Sequence, residues 1–99
     1  MGHLVGYLHI TYEDLVSMFG KPTYDTPSAD NKVRWEWELN IDDNLSCISI
    51  YDWKNYDVTD PNEINEWHVG AENKEHYQIL LNKIDSHRAK KEINEILQI

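Results

Sequence analysis

Cysteine, glycine and proline are scarce in this 99-residue chain, which contains one cysteine, four glycines and three prolines. The single cysteine, Cys47, cannot form an internal disulfide, which agrees with a reducing compartment. It lies in a strand-like run, where we expect it to be a small buried hydrophobe. So few glycines leave no phosphate-binding loop, and no G-x-S-x-G nucleophile motif is present.

Basic residues and long apolar runs are also scarce. Nine Lys and Arg stand against 18 Asp and Glu, giving a net charge of −9, whereas direct binding to nucleic acid requires a basic surface. No apolar run approaches the roughly 18 residues of a membrane-spanning helix, and the N-terminus lacks the basic and hydrophobic segments of a signal peptide. We therefore expect a cytoplasmic protein that contacts neither membranes nor nucleic acid directly.

Recognisable catalytic and metal-binding signatures are missing as well. No two histidines have the three- or four-residue spacing that places a pair of ligands on one helical face, and no second cysteine is available. Acidic residues such as Asp52, Asp57 and Glu66 could form carboxylate pairs, but any acidic surface offers these. We predict a non-enzymatic protein with no cofactor or metal. The five histidines are His3, His9, His68, His76 and His87.

The clearest structural signal is the alternation of apolar and polar residues over 31–41. Successive side chains of a strand point to opposite faces, so this segment predicts a half-buried strand with Trp35 and Trp37 in the core. We expect this strand to be central to the packing of the whole domain. Its apolar face would comprise Val33, Trp35, Trp37, Leu39 and Ile41.

A strand and a capped helix are predicted before it. Residues 4–10 are rich in β-forming residues. Thr11 can cap a helix of about two turns, and Gly20 followed by Pro22 would end it. Residues 21–30 are rich in Pro, Ser, Thr and Asp and predict a surface loop.

Further strands are predicted after a turn at 42–44. Residues 45–53 form the return strand, with Cys47, Ser49 and Tyr51 on one face and Ile48 and Ile50 on the other. Both faces carry bulky residues, which indicates an inner strand covered on both sides or one exposed face that meets a partner. Residues 54–66 predict a long acidic loop, and 66–71 predict a short strand.

The C-terminal segment from residue 73 has helical periodicity. One helix or two would fit, and we favour two helices or a kink near Asp85 because no large apolar residue lies between Ile84 and Ala89. The chain is thus predicted to be one α+β domain, with a small antiparallel sheet of three to four strands packed against the N-terminal helix and the C-terminal helix or helices. Its core would span about 4–84, followed by an amphipathic tail at 85–99.

Negative charge is concentrated in the middle of the sequence. Residues 41–72 contain eight acids and one base, Lys54. Such a surface suits a basic or nucleic-acid-binding protein partner and could imitate the phosphate spacing of a duplex. A solvated acidic face is the simpler interpretation. The candidate interaction residues are Asp42, Asp43, Asp57, Asp60, Glu63, Glu66 and Glu72.

Aromatic residues flank the acidic loop and predict a ligand pocket. An aromatic ring beside a cation can stack on a planar ligand or on a guanidinium group, so a small nucleotide-like ligand is the alternative partner. Aromatic packing that fixes the loop is the simpler interpretation. The candidate pocket residues are Tyr51, Trp53, Lys54, Trp67 and His68.

Several motifs in this chain resemble those of a group of small bacteriophage proteins. The motifs are TYEDLV, FGKPT, KVRWEW, IYDWK and WHVG, which fall between residues 6 and 71. The group more often has a second glycine where this chain has Ala71. The resemblance implies a protein that acts inside the infected bacterial cell, on a host component.

Two functions are therefore expected, and they belong to different classes. The first is a phage accessory protein that binds and inhibits a host protein, such as a defence factor, through its acidic surface. The second is a module that sequesters a nucleotide-like signal in the aromatic pocket. Self-association through the C-terminal helix is compatible with either function.

Overall fold

The computed structural model of the chain describes residues 2–40 and 47–97. Within these residues the four strands pair antiparallel in the order β1-β4-β3-β2. The predicted α+β class is confirmed. The elements are β1 (His3–His9), α1 (Tyr12–Phe19), β2 (Glu36–Asn40), β3 (Cys47–Tyr51), a 3₁₀ helix (Pro61–Glu63), β4 (Glu66–Ala71) and α2 (Lys74–Leu97).

The tryptophan-rich segment forms an edge strand of the sheet, and the strand begins at Glu36 rather than at residue 31 as predicted. Strand β2 pairs with β3 on one side, and on the other side Glu36 forms an isolated bridge with Tyr24. Trp35 and Trp37 are buried as predicted. Trp35 precedes the strand, because its amide and that of Arg34 donate to the Asp52 carboxylate at 2.9 and 2.8 Å. Ile41 and the turn predicted at 42–44 lie outside the described residues.

Helix α1 begins and ends where its capping residues predict. The Thr11 hydroxyl accepts a hydrogen bond from the Asp14 amide at 3.1 Å, which satisfies a free donor of the first turn. Gly20 has φ of 80° and donates its amide to the Val16 carbonyl at 2.8 Å, ending the helix. Leu15 is fully buried and anchors α1 on the core.

Strand β3 is an inner strand with one packed face and one open face. Ile48 and Ile50 are fully buried, whereas the alternate positions on β3 remain accessible. Cys47 is one of these and is exposed, so its predicted burial was wrong. Two effects raise the pKa of the Cys47 thiol. The larger is partial burial, and the second is the negative charge of nearby Glu38. The core between the sheet and the two helices contains Trp37, Trp67, Val69, Leu15, Leu80 and Ile84.

The C-terminal segment is one helix of 24 residues, so the preferred break near Asp85 was wrong. Leu80 and Ile84 are its buried residues, and its described part beyond Ile84 has no buried side chain. Two polar contacts tether the exposed part to the body: Arg88 donates to the His9 carbonyl at 2.6 Å, and Lys91 to Asp14 at 3.1 Å. Neither described α-helix combines the length and the hydropathy that a membrane-spanning helix requires.

Several backbone groups at both edge strands are partnered by other parts of the chain. On β1, the Tyr77 hydroxyl donates to the Tyr7 carbonyl at 2.8 Å, in addition to the Arg88 contact. On β2, Tyr24 exchanges two backbone hydrogen bonds with Glu36, at 3.0 and 2.9 Å, and the Glu38 amide donates to the Thr23 hydroxyl at 2.9 Å. Such contacts oppose the addition of a further strand. The sheet face that the helices leave uncovered is therefore the surface most open to a partner.

Candidate binding face of the sheet

The uncovered face is built from the alternate side chains of all four strands. The strand register places β1, β4, β3 and β2 residues side by side in rows across the sheet. Residues opposite each other in neighbouring antiparallel strands share a face. One row therefore consists of Tyr7, His68, Tyr51 and Glu36. The next row contains Gly70, Ser49 and Glu38.

Four rings form a continuous aromatic cluster on this face, comprising Tyr7, His68, Tyr51 and Trp53. His68 lies at its centre, with ring centroids 5.0 Å from Tyr7, 5.5 Å from Tyr51 and 5.9 Å from Trp53. The Trp53 and His68 rings are stacked, with an interplanar angle of 25°. Tyr7 is 46% exposed and Trp53 39% exposed, so the cluster presents ring surface to solvent.

Three carboxylates line the open cleft beside these rings, and we call them the acidic rim: Glu36, Glu38 and Glu72. The cleft measures about 450 Å³ and includes Tyr51, Trp53 and the small residues Ser49 and Gly70 among its lining. Partial burial raises the pKa of Glu36, and the charge and hydrogen bonding of Glu38 raise it further. The two side chains are neighbours on β2, so they concentrate negative charge at one wall of the cleft.

The face of Trp53 already attracts cations from its own chain. Lys32 Nζ lies 5.9 Å and Lys54 Nζ 5.7 Å from the ring centroid, within the range of cation–π attraction. Lys54 has a positive φ of 56°, and its amide donates to the Lys32 carbonyl at 2.8 Å. The aromatic cluster and the acidic rim thus form a surface whose chemistry favours ammonium and guanidinium groups.

No protein-family model, curated protein or solved structure matches the chain. The resemblance to the bacteriophage group therefore stays a prediction that depends on the quoted motifs. The residues that the structure describes contain no group of three or more His, Cys, Asp or Glu side chains arranged to hold a metal ion.

Four of the five predicted pocket residues lie together, and one does not. Tyr51, Trp53 and His68 belong to the aromatic cluster, and Lys54 lies beside it. The inclusion of Trp67 was wrong, because Trp67 is fully buried and donates its indole N–H to the Ile10 carbonyl at 3.0 Å. Adjacent strand residues point to opposite faces, so Trp67 and His68 could not both line one pocket.

The described members of the predicted acidic series do not form one surface. Asp42 and Asp43 lie outside the described residues. The loop between β3 and β4 carries three exposed acids, Asp57, Asp60 and Glu63. Asp60 has a structural role there, since its carboxylate accepts the Asn62 amide at 3.0 Å and caps the 3₁₀ helix.

The remaining two acids, Glu66 and Glu72, are at opposite ends of β4. A strand of this length separates them by about 20 Å. Glu66 is exposed and lies 3.8 Å from His9 Nε2, whereas Glu72 lines the cleft. Of the described members of the predicted series, Glu72 alone belongs to the acidic rim.

Sequence reasoning missed Glu36 and Glu38 as site residues, although the signal for them was present. The alternation over 31–41 assigns both to the charged face of β2. The register then places them opposite Tyr51 and Ser49 on β3. Pairing the charged face of one predicted strand with the aromatic face of the next would have identified this wall of the cleft.

Proposed function

We propose that the chain is a non-enzymatic binding protein that holds a basic segment of a partner protein against the uncovered face of its sheet. The supporting observation is the juxtaposition of the acidic rim with the aromatic cluster in an open cleft. Carboxylates pair with Lys and Arg, and aromatic faces attract the same cations. The charges of rim and partner would be complementary, which favours fast and selective association.

In the setting that the bacteriophage resemblance implies, the partner is a host protein and the result of binding is inhibition. A basic surface that normally contacts nucleic acid would suit this face, because the rim offers carboxylates in place of phosphates. The net charge of −9 would steer such a partner from a distance. The exposed acids of the β3–β4 loop, Asp57, Asp60 and Glu63, would contribute to steering without direct contact.

The alternative function, sequestration of a nucleotide-like ligand, receives less support. Lys32 and Lys54 beside Trp53 could hold a phosphate. However, Trp53 and His68 already stack on each other and leave no gap for a base between them. The neighbouring carboxylates of Glu36 and Glu38 would repel the phosphates. We therefore favour a cationic protein segment as the ligand.

The proposal is tested by titrating the protein with a synthetic Arg- and Lys-rich peptide and following tryptophan fluorescence. The Glu36→Gln/Glu38→Gln double variant should bind the peptide about tenfold or more weakly, equivalent to about 1.4 kcal/mol. The matched control is Asp57→Asn/Glu63→Gln, which removes the same charge from the loop and should retain most of the affinity. Equal weakening in both variants would indicate nonspecific attraction and contradict the proposed site.

Acid titration of the same complex provides an independent check on the rim. Because the pKa of Glu36 is raised above its usual 4.5, Glu36 gains a proton before an ordinary carboxyl does as the pH falls. Peptide affinity should therefore begin to decline above that pH in the wild type. The decline should be smaller in Glu36→Gln than in the wild type.

A fluorescent nucleotide probe separates the alternative function from the leading one. Saturable nucleotide binding that Trp53→Ala abolishes and that Glu36→Gln/Glu38→Gln leaves intact would favour the sequestering function. If peptide binding were also absent, this result would overturn the proposed basic-segment site.

A further inference from the structure

Helix α2 has a second, unpartnered side. Residues that contact the body include Tyr77, Leu80, Ile84, Arg88 and Lys91, and Leu81 also packs against the core. Another series repeats with alternating spacings of three and four residues, as the a and d positions of a coiled coil do. All of its members are exposed. This outer seam consists of Ile79, Asn82, Ser86, Ala89, Ile93 and Ile96.

The outer seam lies on the side of α2 opposite the body. At 3.6 residues per turn, Ser86 and Ile93 are about half a turn away from Tyr77, Ile84 and Arg88. A second helix could therefore pack along the seam without colliding with the sheet or α1. Ile93 and Ile96 are 55% and 66% exposed, although isoleucine is among the residue types most often buried.

The charges that flank the seam indicate which occupant fits. One flank of the seam, at the g positions of a coiled coil, consists of Gln78, Asp85 and Glu92. The other flank, at the e positions, contains Lys83 and Lys90. In a parallel pair of these helices, a g residue faces the e residue five positions later in the other copy. Asp85 of each copy would then face Lys90 of its neighbour. An antiparallel pair would place acids against acids and lysines against lysines.

We propose that two copies of this chain associate through the outer seam to form a parallel helical pair. Ile79, Ala89, Ile93 and Ile96 supply the apolar contacts, and a groove lined by Ile79, Asn82 and Ser86 is already present along the seam. Polar residues at core positions reduce affinity but fix register and oligomeric state. The dimer is therefore weak and dependent on concentration.

Pairing through α2 leaves the uncovered sheet face of each copy free. Helix α2 packs on the face of the sheet opposite the aromatic cluster, so a dimer presents two binding faces outward. A partner with two basic segments would then be held with higher avidity than by one copy. The dimer does not require the proposed function of that face, and sedimentation detects it without a ligand.

Sedimentation equilibrium tests the seam directly. The wild type should show a mass that rises with concentration from 11.7 kDa toward twice that value. Ile93→Glu should remain monomeric, whereas the matched control Asn94→Glu, which adds the same side chain one position off the seam, should associate as the wild type does. Circular dichroism should show both variants folded. A wild type that is monomeric at millimolar concentration, or equal behaviour of the two variants, would refute the seam.

Engineered cysteines test the orientation, in a Cys47→Ser background that removes the native thiol. In a parallel pair, Ile96→Cys should cross-link to itself under mild oxidation, whereas an antiparallel pair would hold the two thiols about 25 Å apart. A mixture of Ile79→Cys and Ile96→Cys chains tests the antiparallel arrangement, in which the two ends of the seam lie together. Cross-links between the two variants, with none within either, would contradict the parallel arrangement.

Charge exchange tests the flanks. Asp85→Lys alone and Lys90→Asp alone each place like charges across the parallel pair, so each variant should dimerise several-fold less well than the wild type. An equimolar mixture should form a heterodimer, because both 85–90 pairs are then of opposite charge. Absence of heterodimer in the mixture would show that these residues do not face each other.

Discussion

At the scale of single residues, the Asp52 side chain connects the end of β3 to the backbone that leads into β2. It is the one charged side chain in the described part of the chain that is buried, at 2% exposure. Its Oδ1 accepts the amides of Arg34 and Trp35 at 2.8 and 2.9 Å. These two amides precede β2 and have no strand partner there. The carboxylate therefore fixes where Trp35 enters the core.

Replacement of Asp52 by alanine should destabilise the protein by about 3 kcal/mol, because two backbone donors lose a charged acceptor. Asp52→Asn keeps an acceptor oxygen and should lose less. Urea unfolding followed by tryptophan fluorescence measures both effects. The control is Asp57→Ala, an exposed acid on the following loop, whose free energy of unfolding should change little. If Asp52→Ala unfolds at the same urea concentration as this control, the anchoring role is wrong.

Residue-level errors in the sequence predictions have a common physical cause. Alternation shows which residues share a face but not which face is covered. Cys47 was expected to be buried and is exposed, because the helices pack on the Ile48 side of β3. Trp67 was grouped with His68 because they are adjacent in sequence, whereas the pleat sends them to opposite faces.

At the scale of elements, the contact between β1 and α2 depends on the absence of a side chain at Gly6. A Cβ atom there would overlap the Tyr77 ring. The ring has little freedom to move, because its hydroxyl donates to the Tyr7 carbonyl at 2.8 Å. Gly70 is on the opposite side of the sheet, and a Cβ atom there would be 3.6 Å from the Tyr51 ring, an ordinary contact.

These two glycines form a matched pair of substitutions. Gly6→Ala should destabilise the fold by about 2 kcal/mol, because it forces the helix and strand apart. Gly70→Ala should be close to neutral, since the added methyl group has space and alanine loses less backbone entropy. Denaturant unfolding of both variants measures the difference. Similar losses at the two positions would contradict the close approach of Tyr77 to β1.

Elements were predictable where the signal is local and were mispredicted where it is not. Strand β4 was predicted at 66–71, the span it occupies, and α1 was predicted from its caps. The position of β2 at the sheet edge depends on pairing between distant segments, which periodicity does not encode. The continuity of α2 was missed because a polar patch was taken as a break, although exposed charged and alanine residues sustain a helix well.

At the scale of the whole molecule, packing and recognition are assigned to opposite sides of one sheet. The helices cover one face, and the described edge strands make contacts that oppose pairing. The aromatic cluster and acidic rim therefore remain accessible. Their location could not be predicted from composition, because the acids that dominate the middle of the sequence are spread over the loop and both ends of β4.

The exposed part of α2 should be separable from the folded body. A chain that ends after Arg88 keeps Leu80, Ile84 and the contact of Arg88 with His9. It loses residues 89–99, of which the described residues 89–97 are all exposed, and the ion pair of Lys91 with Asp14. Surface ion pairs contribute little to stability. The free energy of unfolding should therefore change little.

A second truncation tests how much of α2 the folded body requires. A chain that ends after Asn82 also loses Ile84, which is 2% exposed, and should be less stable by several kcal/mol, as expected for loss of a buried isoleucine. Urea unfolding compares the two chains, and sedimentation should show that both have lost the ability to dimerise. If the chain ending after Arg88 were as unstable as the one ending after Asn82, the last turns of α2 would support the core as well as the seam, and the body and the dimer contact would be coupled.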